Sequence, residues 1–322
     1  MRFALDAEQE LFAATLDRML GRAGTPAAVR AWASGDHGRG ADVWRALAEA
    51  GVFALAAPGS GGGPGPLPVE LVTAMIEAGR HAVPGPVAEA VAACLLLGDP
   101  ERVAAIAAGA LVPTLAHPPL VPFALDADAA GLVLHLDGGR LHTAVPVRPA
   151  APLRSLDPAR RLWAVRSADR LPLGPRAASA VPMGVLAVAA QALGAGLRLV
   201  ADTVAYARTR HQFGRPIGEF QAVQHRLADA HTALEFARPL LYGAALAMGT
   251  PDERRDVSAA KAAASDAAYA AARAALQVHG AIGYTDDHDV SLWIRKARAL
   301  HTAWGGPALH RARVLAELRA GR

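Results

Sequence analysis

The sequence predicts a mainly α protein with an N-terminal helical domain (1–109), a shortened middle β domain (110–175) and a C-terminal four-helix bundle domain (176–322). Three observations predict it. Hydrophobic residues make up 52% of the 322 residues but aromatics only 5%, so the apolar content is mostly Ala, Leu and Val, small side chains that suit close helix packing. Apolar residues recur at steps of three and four through both the first and the last third of the chain. Dense proline and short β-like runs occur between about Leu111 and Arg166, which confines the strands to the middle. At this length roughly three quarters of the unfolded surface can be buried.

In chain order, Asp6 can cap a first helix with Gln9 at its third position, the helix running through Leu11, Leu16 and Met19 towards Gly21. ADVWRALAEAG ends in a C-terminal glycine, VELVTAMIEAGR has helical apolar spacing, and the intervening PGSGGGPGPLP reads as a mobile turn. Its glycines follow no convincing strand, so a dinucleotide-binding fingerprint is a weak alternative. LVLHLDGGRLHTAV predicts a hairpin turning at Asp137-Gly138, and RLWAVRS a further strand. Beyond it, Val223, Leu227, Ala230, Leu234, Ala237 and Leu241 form one apolar stripe, with Pro239 as a kink. Long helices are expected before it (Val185 to about Arg208), after it (about Asp252 to His279) and at the C-terminus, which together make a four-helix bundle.

Composition excludes several function classes. The 33 basic and 29 acidic residues give a net charge of +4, and all the basic residues but Lys261 and Lys296 are arginines spread along the chain. No stretch concentrates arginine with interleaved aromatics, so nucleic-acid binding is not expected. The single cysteine, Cys94, lies in VAACLLLG; it cannot form an internal disulfide or a cysteine-based zinc cluster, and is expected as a small buried hydrophobe. The N-terminus carries acids where a secretory signal needs apolar residues, and the uncharged stretch Val181 to Leu197 contains Pro182, Gln191 and glycines. No membrane association and a cytoplasmic location are therefore expected.

Motifs for hydrolytic or metal chemistry are weak. The chain has no Glu-x-x-His pair for a di-iron bundle site and no G-x-S-x-G elbow. Asp286, Asp287, His288 and Asp289 could hold a cation, but acids at a turn before a helix more often cap it. His225 and Asp229, four apart on one helix face, are expected to share a structural hydrogen bond rather than a metal.

Two strings carry a specific signal. RTRHQFGRPIGEFQAVQHRLAD and, some fifty residues later, QVHGAIGYTDDHDVSLWIRKAR resemble the two C-terminal signatures of the flavin-dependent acyl-CoA dehydrogenases. FALDAEQELFAATL, WRALAEAGVFALAAPGSGGGPG and EAGRHAVPGPVAE look like that family's N-terminal domain, so the resemblance covers nearly the whole chain. It implies FAD at a subunit interface, with one subunit lending its neighbour an RxxFG and a QxxGGxG element. The residues that correspond are Arg210, Gln212, Phe213, Gln277 and Gly280, with Ala281 where the family usually has a second glycine. Arg210 and the Gly280 turn could meet a diphosphate with a permanent cation and backbone donors. The plainer expectation is a surface ion pair for Arg210 and an ordinary helix-face position for Gln277.

The family's reaction removes an α-proton from an acyl-CoA thioester while the β-hydrogen leaves as hydride to the flavin, and it needs a carboxylate base. The resemblance places Trp304 at the usual base position and Gly184 at about the other one. No acid lies between Asp169 and Asp202, and tryptophan cannot accept a proton from carbon. The middle region offers LVPTLAHPPLVPF where active members carry a flavin-ring motif. These departures resemble the base-lacking subunit of bacterial α2β2 acyl-CoA dehydrogenases, some of which act on steroid side-chain CoA thioesters. The expectation is a non-catalytic subunit that completes the FAD site of a catalytic partner, which would bind most of the acyl-CoA. A homomeric dehydrogenase with an unrecognised base and a non-enzymatic interaction protein are the alternatives.

Overall fold

The computed structural model describes residues 4–59, 65–147 and 151–321. The centre of the glycine-rich turn expected over PGSGGGPGPLP, residues 60–64, lies outside the described residues. Six helices come first: α1 (Ala7–Arg22), α2 (Thr25–Ala33), α3 (Gly38–Glu49), α4 (Pro68–Arg80), α5 (Val87–Leu96) and α6 (Pro100–Ala107). The predicted capping box closes α1: the Asp6 carboxylate accepts from Gln9 N at 2.9 Å, and Asp6 N donates to Gln9 Oε1 at 3.1 Å. Gly51, at a φ of 77°, follows the end of α3 as expected of a C-terminal glycine.

The middle segment is small. Strands β1 (Pro113–Ala116), β3 (Leu132–Asp137), β4 (Arg140–Pro146) and β6 (Val165–Leu171) form a sheet in the order β1-β3-β4-β6. Strands β2 (Ala124–Leu125) and β5 (Leu162–Trp163) pair separately. The expected hairpin exists, but its turn is shifted by one residue. Asp137 pairs with Arg140, so Gly138 and Gly139 are the two turn residues, with φ of 51° and 75°. A two-residue hairpin turn of type I′ needs positive φ at both central positions, and Gly-Gly meets that at less steric cost than Asp-Gly.

The C-terminal part comprises α7 (Ala180–Thr209), a two-stranded turn of β7 (His211–Gln212) and β8 (Arg215–Pro216), α8 (Gln221–Leu246), α9 (Glu253–His279), α10 (Val290–Thr302) and α11 (Pro307–Arg319). Two expectations change here. Helix α7 begins five residues earlier than Val185, and the expected fourth helix is two, broken where Trp304 and Gly305 take φ of 56° and 94°. The α8 stripe is buried from Leu227 to Leu241, with Pro239 inside the helix.

Helix α7 is apolar enough to cross a membrane by length and composition, with a mean hydropathy of 1.7 over an 18-residue window, yet 89% of that window is buried inside the protein. It is apolar all round because α4, α5, α8, α9 and α10 surround it. Two glycines make its crossing with α4 possible. A Cβ on Gly194 would lie 1.9 Å from Ile76 O, and one on Gly79 would lie 2.1 Å from Gln191 O. The backbones therefore touch at both points, and one continuous apolar core runs from Leu16 to Trp304.

Candidate functional site

Up-and-down order brings the α7–α8 turn and the C-terminus of α9 to the same end of the bundle. Stacking of Tyr206 on His279, with ring centroids 4.2 Å apart, fastens the two. Arg210 leaves α7 in extended conformation. Its side chain is exposed and has no hydrogen bond or ion pair among the described residues, so the surface ion-pair expectation is not met. Gln212 is exposed beside it, and Phe213 is 92% exposed with a φ of 53°. A large apolar ring held outwards on left-handed backbone is unfavourable in isolation and marks a surface built to be covered. Phe213 touches Phe220 edge-on at 6.1 Å, and Arg215 lies over the Phe220 ring at 4.2 Å.

Gln277, Gly280 and Ala281 lie together on the wall of a cleft of about 930 Å³ between α8 and α9, which Arg226, Asp229 and Arg273 also line. Gly280 has a φ of 65°, and nothing lies within 4 Å of where its Cβ would be. That leaves backbone open to a ligand. Next to it, His279 is 5% exposed; its Nδ1 donates to Ala275 O at 2.9 Å while Nε2 is buried without a partner. Burial holds its pKa below the ordinary histidine value. Open glycine backbone, an exposed amide and arginines without a partner among the described residues fit a diphosphate-bearing cofactor. Arg210 and Phe213 do not line this cleft but lie at the same end of the bundle.

The two positions where the resemblance places a base meet inside the molecule. A Cβ on Gly184 would lie 2.3 Å from the Trp304 ring, so the indole occupies the space that a side chain at 184 would take. Trp304 is 2% exposed; its Nε1 donates to Glu89 Oε1 at 3.0 Å, and its carbonyl accepts from His310 Nε2 at 2.9 Å. Burial pushes His310 down to about 4, which keeps it neutral near pH 7. Above the indole lies a cavity of about 390 Å³ lined by Leu120, Phe123, Arg160, Arg298, Glu89 and Trp304. Sequence reasoning missed Glu89; the available signal was a single carboxylate in the apolar run PVAEAVAACLLL.

Other expectations resolve locally. Asp286 pairs with Arg295 at 2.8 Å and Asp289 with Arg30 at 2.6 Å, so neither caps α10. The N-cap residue Asp289 makes no side-chain cap hydrogen bond, while His288 Nδ1 accepts from Val290 N at 3.2 Å. Arginines from α2 and α10 take the carboxylates that a lone helix would use on its own N–H groups. His225 and Asp229 share no hydrogen bond among the described residues; both line the cleft. Cys94 is fully buried as expected, its thiol pushed up to about 12 by burial.

Comparison with known proteins gives a consistent result. The model for the acyl-CoA dehydrogenase N-terminal domain matches residues 6–100, and that for the C-terminal domain matches 175–318. Acyl-CoA dehydrogenase IpdE2 of Mycobacterium tuberculosis is 34% identical over 296 residues, covering 90% of this chain and 91% of that protein. The structure of the ChsE4-ChsE5 complex from Mycobacterium tuberculosis superposes with a TM-score of 0.82 at 24% identity, covering 99% of both chains. A glutaryl-CoA dehydrogenase from Mycobacterium smegmatis in complex with FADH2 gives a TM-score of 0.80 at 18% identity, covering 99% of this chain and 96% of that one. The two structural likenesses concern the fold.

Proposed function

Because this chain belongs to the acyl-CoA dehydrogenase family, we propose that it is the non-catalytic subunit of a heteromeric, FAD-dependent acyl-CoA dehydrogenase. It lends its α7–α8 turn and α9 terminus to a flavin site that a catalytic partner completes, in an α2β2 arrangement. The observation that carries the proposal is the Trp304 indole packed on Gly184: both base positions lack a carboxylate, and the space between them is filled. When bound, FAD supplies the hydride acceptor. On this side of the interface Arg210 would neutralise phosphate charge, the Gly280 backbone and Gln277 would offer donors, and Phe213 would cover the cofactor from water. Proton abstraction from the acyl-CoA, with steroid side-chain thioesters as the proposed class, falls to the partner. That the similar ChsE4 and ChsE5 chains form a complex supports a partner subunit.

Co-purification tests it. The chain expressed alone is expected to be colourless, and the complex with its partner yellow and active; a stoichiometrically flavinylated homo-oligomer with turnover would overturn the proposal. In the complex, Arg210→Ala should lower FAD occupancy with the helical fold intact, because a lost charge-assisted contact costs on the order of 1.5–3 kcal/mol.

One observation favours a second reading, a homomeric enzyme with Glu89 as its base: this buried carboxylate lines the cavity beside Trp304. Glu89→Gln keeps the shape and removes the base. Loss of turnover by two orders of magnitude or more at unchanged FAD content would favour it, and unchanged turnover would leave Glu89 as the group that pins the indole.

A further inference from the structure

Glu77 and His81 close the last turn of α4, four residues apart and so on one helix face, and Asp17 of α1 meets them across the α1–α4 contact. One donor atom from each of the three side chains lies within 4.8 Å of the others. His81 Nε2 is 2.8 Å from Asp17 Oδ1. Glu77 and His81 are 8% and 6% exposed, whereas half of the Asp17 side chain is open to solvent. Glu77 Oε2 is buried without a hydrogen-bond partner among the described residues; Arg80 Nε comes to 3.3 Å but is not aligned for a hydrogen bond and is itself unpartnered. The other arginines whose charge reaches the cluster are taken, Arg198 by Asp202 at 2.7 Å and Arg238 by Glu235 at 2.8 Å. A buried carboxylate oxygen without a donor is costly, and burial raises Glu77 to about 7. The same burial holds His81 below the ordinary histidine value, which keeps its ring in the neutral form that ligates metals.

We propose that Asp17, Glu77 and His81 bind a divalent transition-metal cation, zinc in the first instance, which clips α1 to α4. The donor set decides the class. One imidazole and two carboxylates suit zinc, whereas magnesium and calcium call for a fuller shell of oxygen donors. A tetrahedral ion holds its donors about 3.3 Å apart. His81 and Asp17 therefore open slightly, and the widest pair closes by roughly 1.5 Å at most, which rotation of the carboxylate side chains supplies. The ion takes the place of the proton between His81 Nε2 and Asp17 Oδ1, which passes to solvent on the exposed Asp17 side. Water fills the fourth position on that same side. None of the three residues lines the α8–α9 cleft or the cavity beside Trp304, so the site does not rest on the flavin half-site proposed above.

The test is calorimetric titration of the chelator-treated full-length chain with zinc, magnesium and calcium, with cobalt as a spectroscopic probe and circular dichroism to check that each variant is folded. Zinc should fill one tight site per chain and raise the melting temperature, and magnesium and calcium should bind far more weakly. Asp17→Asn, at an exposed position, should weaken zinc binding at least tenfold and remove the ligand-field bands that cobalt acquires in the wild-type chain. Glu77→Gln keeps the shape of the side chain and should do the same. Arg80→Gln should tighten zinc binding, because the cation that competes for Glu77 is gone; a purely structural cluster would show no such gain. Wild-type zinc affinity in both Asp17→Asn and Glu77→Gln overturns the proposal and assigns the bound zinc to other histidines. A wild-type chain that takes up no stoichiometric zinc, or that binds magnesium or calcium as tightly, overturns it equally.

Discussion

Trp304 combines three features that rarely coincide: it is buried, it sits on left-handed backbone, and its ring fills the space beside a glycine. Removing the indole would leave a large cavity, so Trp304→Ala should lower stability by about 3–5 kcal/mol in chemical unfolding. Turnover of the proposed heteromeric complex should nevertheless stay within a few-fold of wild type where assembly is intact, and a hundredfold fall at normal FAD content would give this chain a direct part in the chemistry. The two lysines carry another residue-scale signature, since both are buried. Lys261 donates to Ser265 Oγ at 2.7 Å and Leu300 O at 2.9 Å, and burial pulls it down to about 7; Lys296 is lowered for the same reason. An unfolded lysine keeps its proton until about pH 10.4. Between about pH 7 and 9 the unfolded chain therefore binds more protons than the native one, and stability should rise with pH. The buried acids Glu77 and Asp126, raised to about 7, are ionised in both states towards the upper end of that window. Lys261→Met should flatten the rise, by at most about 1.4 kcal/mol per pH unit, as measured by urea unfolding at each end of the window.

Between elements, the decisive contact is the crossing of α4 and α7. Gly194 and Gly79 bring the two backbones so close that any Cβ would collide with a carbonyl oxygen, which cannot swing away as a side-chain tip can. Gly194→Ala should therefore destabilise by about 3 kcal/mol or more, at or above the upper end of ordinary overpacking. Gly184→Ala meets only the Trp304 ring and should cost less, about 1–3 kcal/mol, by shifting that ring. Thermal melts of the two variants give the order directly. Capping lies at the other extreme: Asp6→Ala removes one half of an exposed capping box and should cost only about 1 kcal/mol.

Across the whole molecule, rules that act between near neighbours in the chain are legible in the amino-acid order alone. The Asp6–Gln9 box, the α8 stripe and the gathering of the longer strands in the middle all follow from spacing and turn chemistry, because such rules span only a few residues; the short β7–β8 pair lies outside it. The two motifs likewise point to the family, and their order along the chain is enough for the helices to carry both to one end of the bundle. Where two elements compete for one group, local rules are insufficient. Asp286 and Asp289 have the spacing of helix caps, but arginines from α10 and α2 claim them, and one C-terminal helix becomes two because Trp304 turns inwards onto Gly184. Glu89 is visible in the sequence only as a carboxylate in an apolar run. Residue type and short-range order thus dictate the helical elements, the family, and the Trp and Gly at positions 304 and 184. The packing of helices dictates that the Trp304 indole fills the space beside Gly184, and that Arg226 and Arg273, neither with a partner among the described residues, share one cleft. Contacts between residues far apart in the chain depend on how helices cross, and they leave no periodic trace along it.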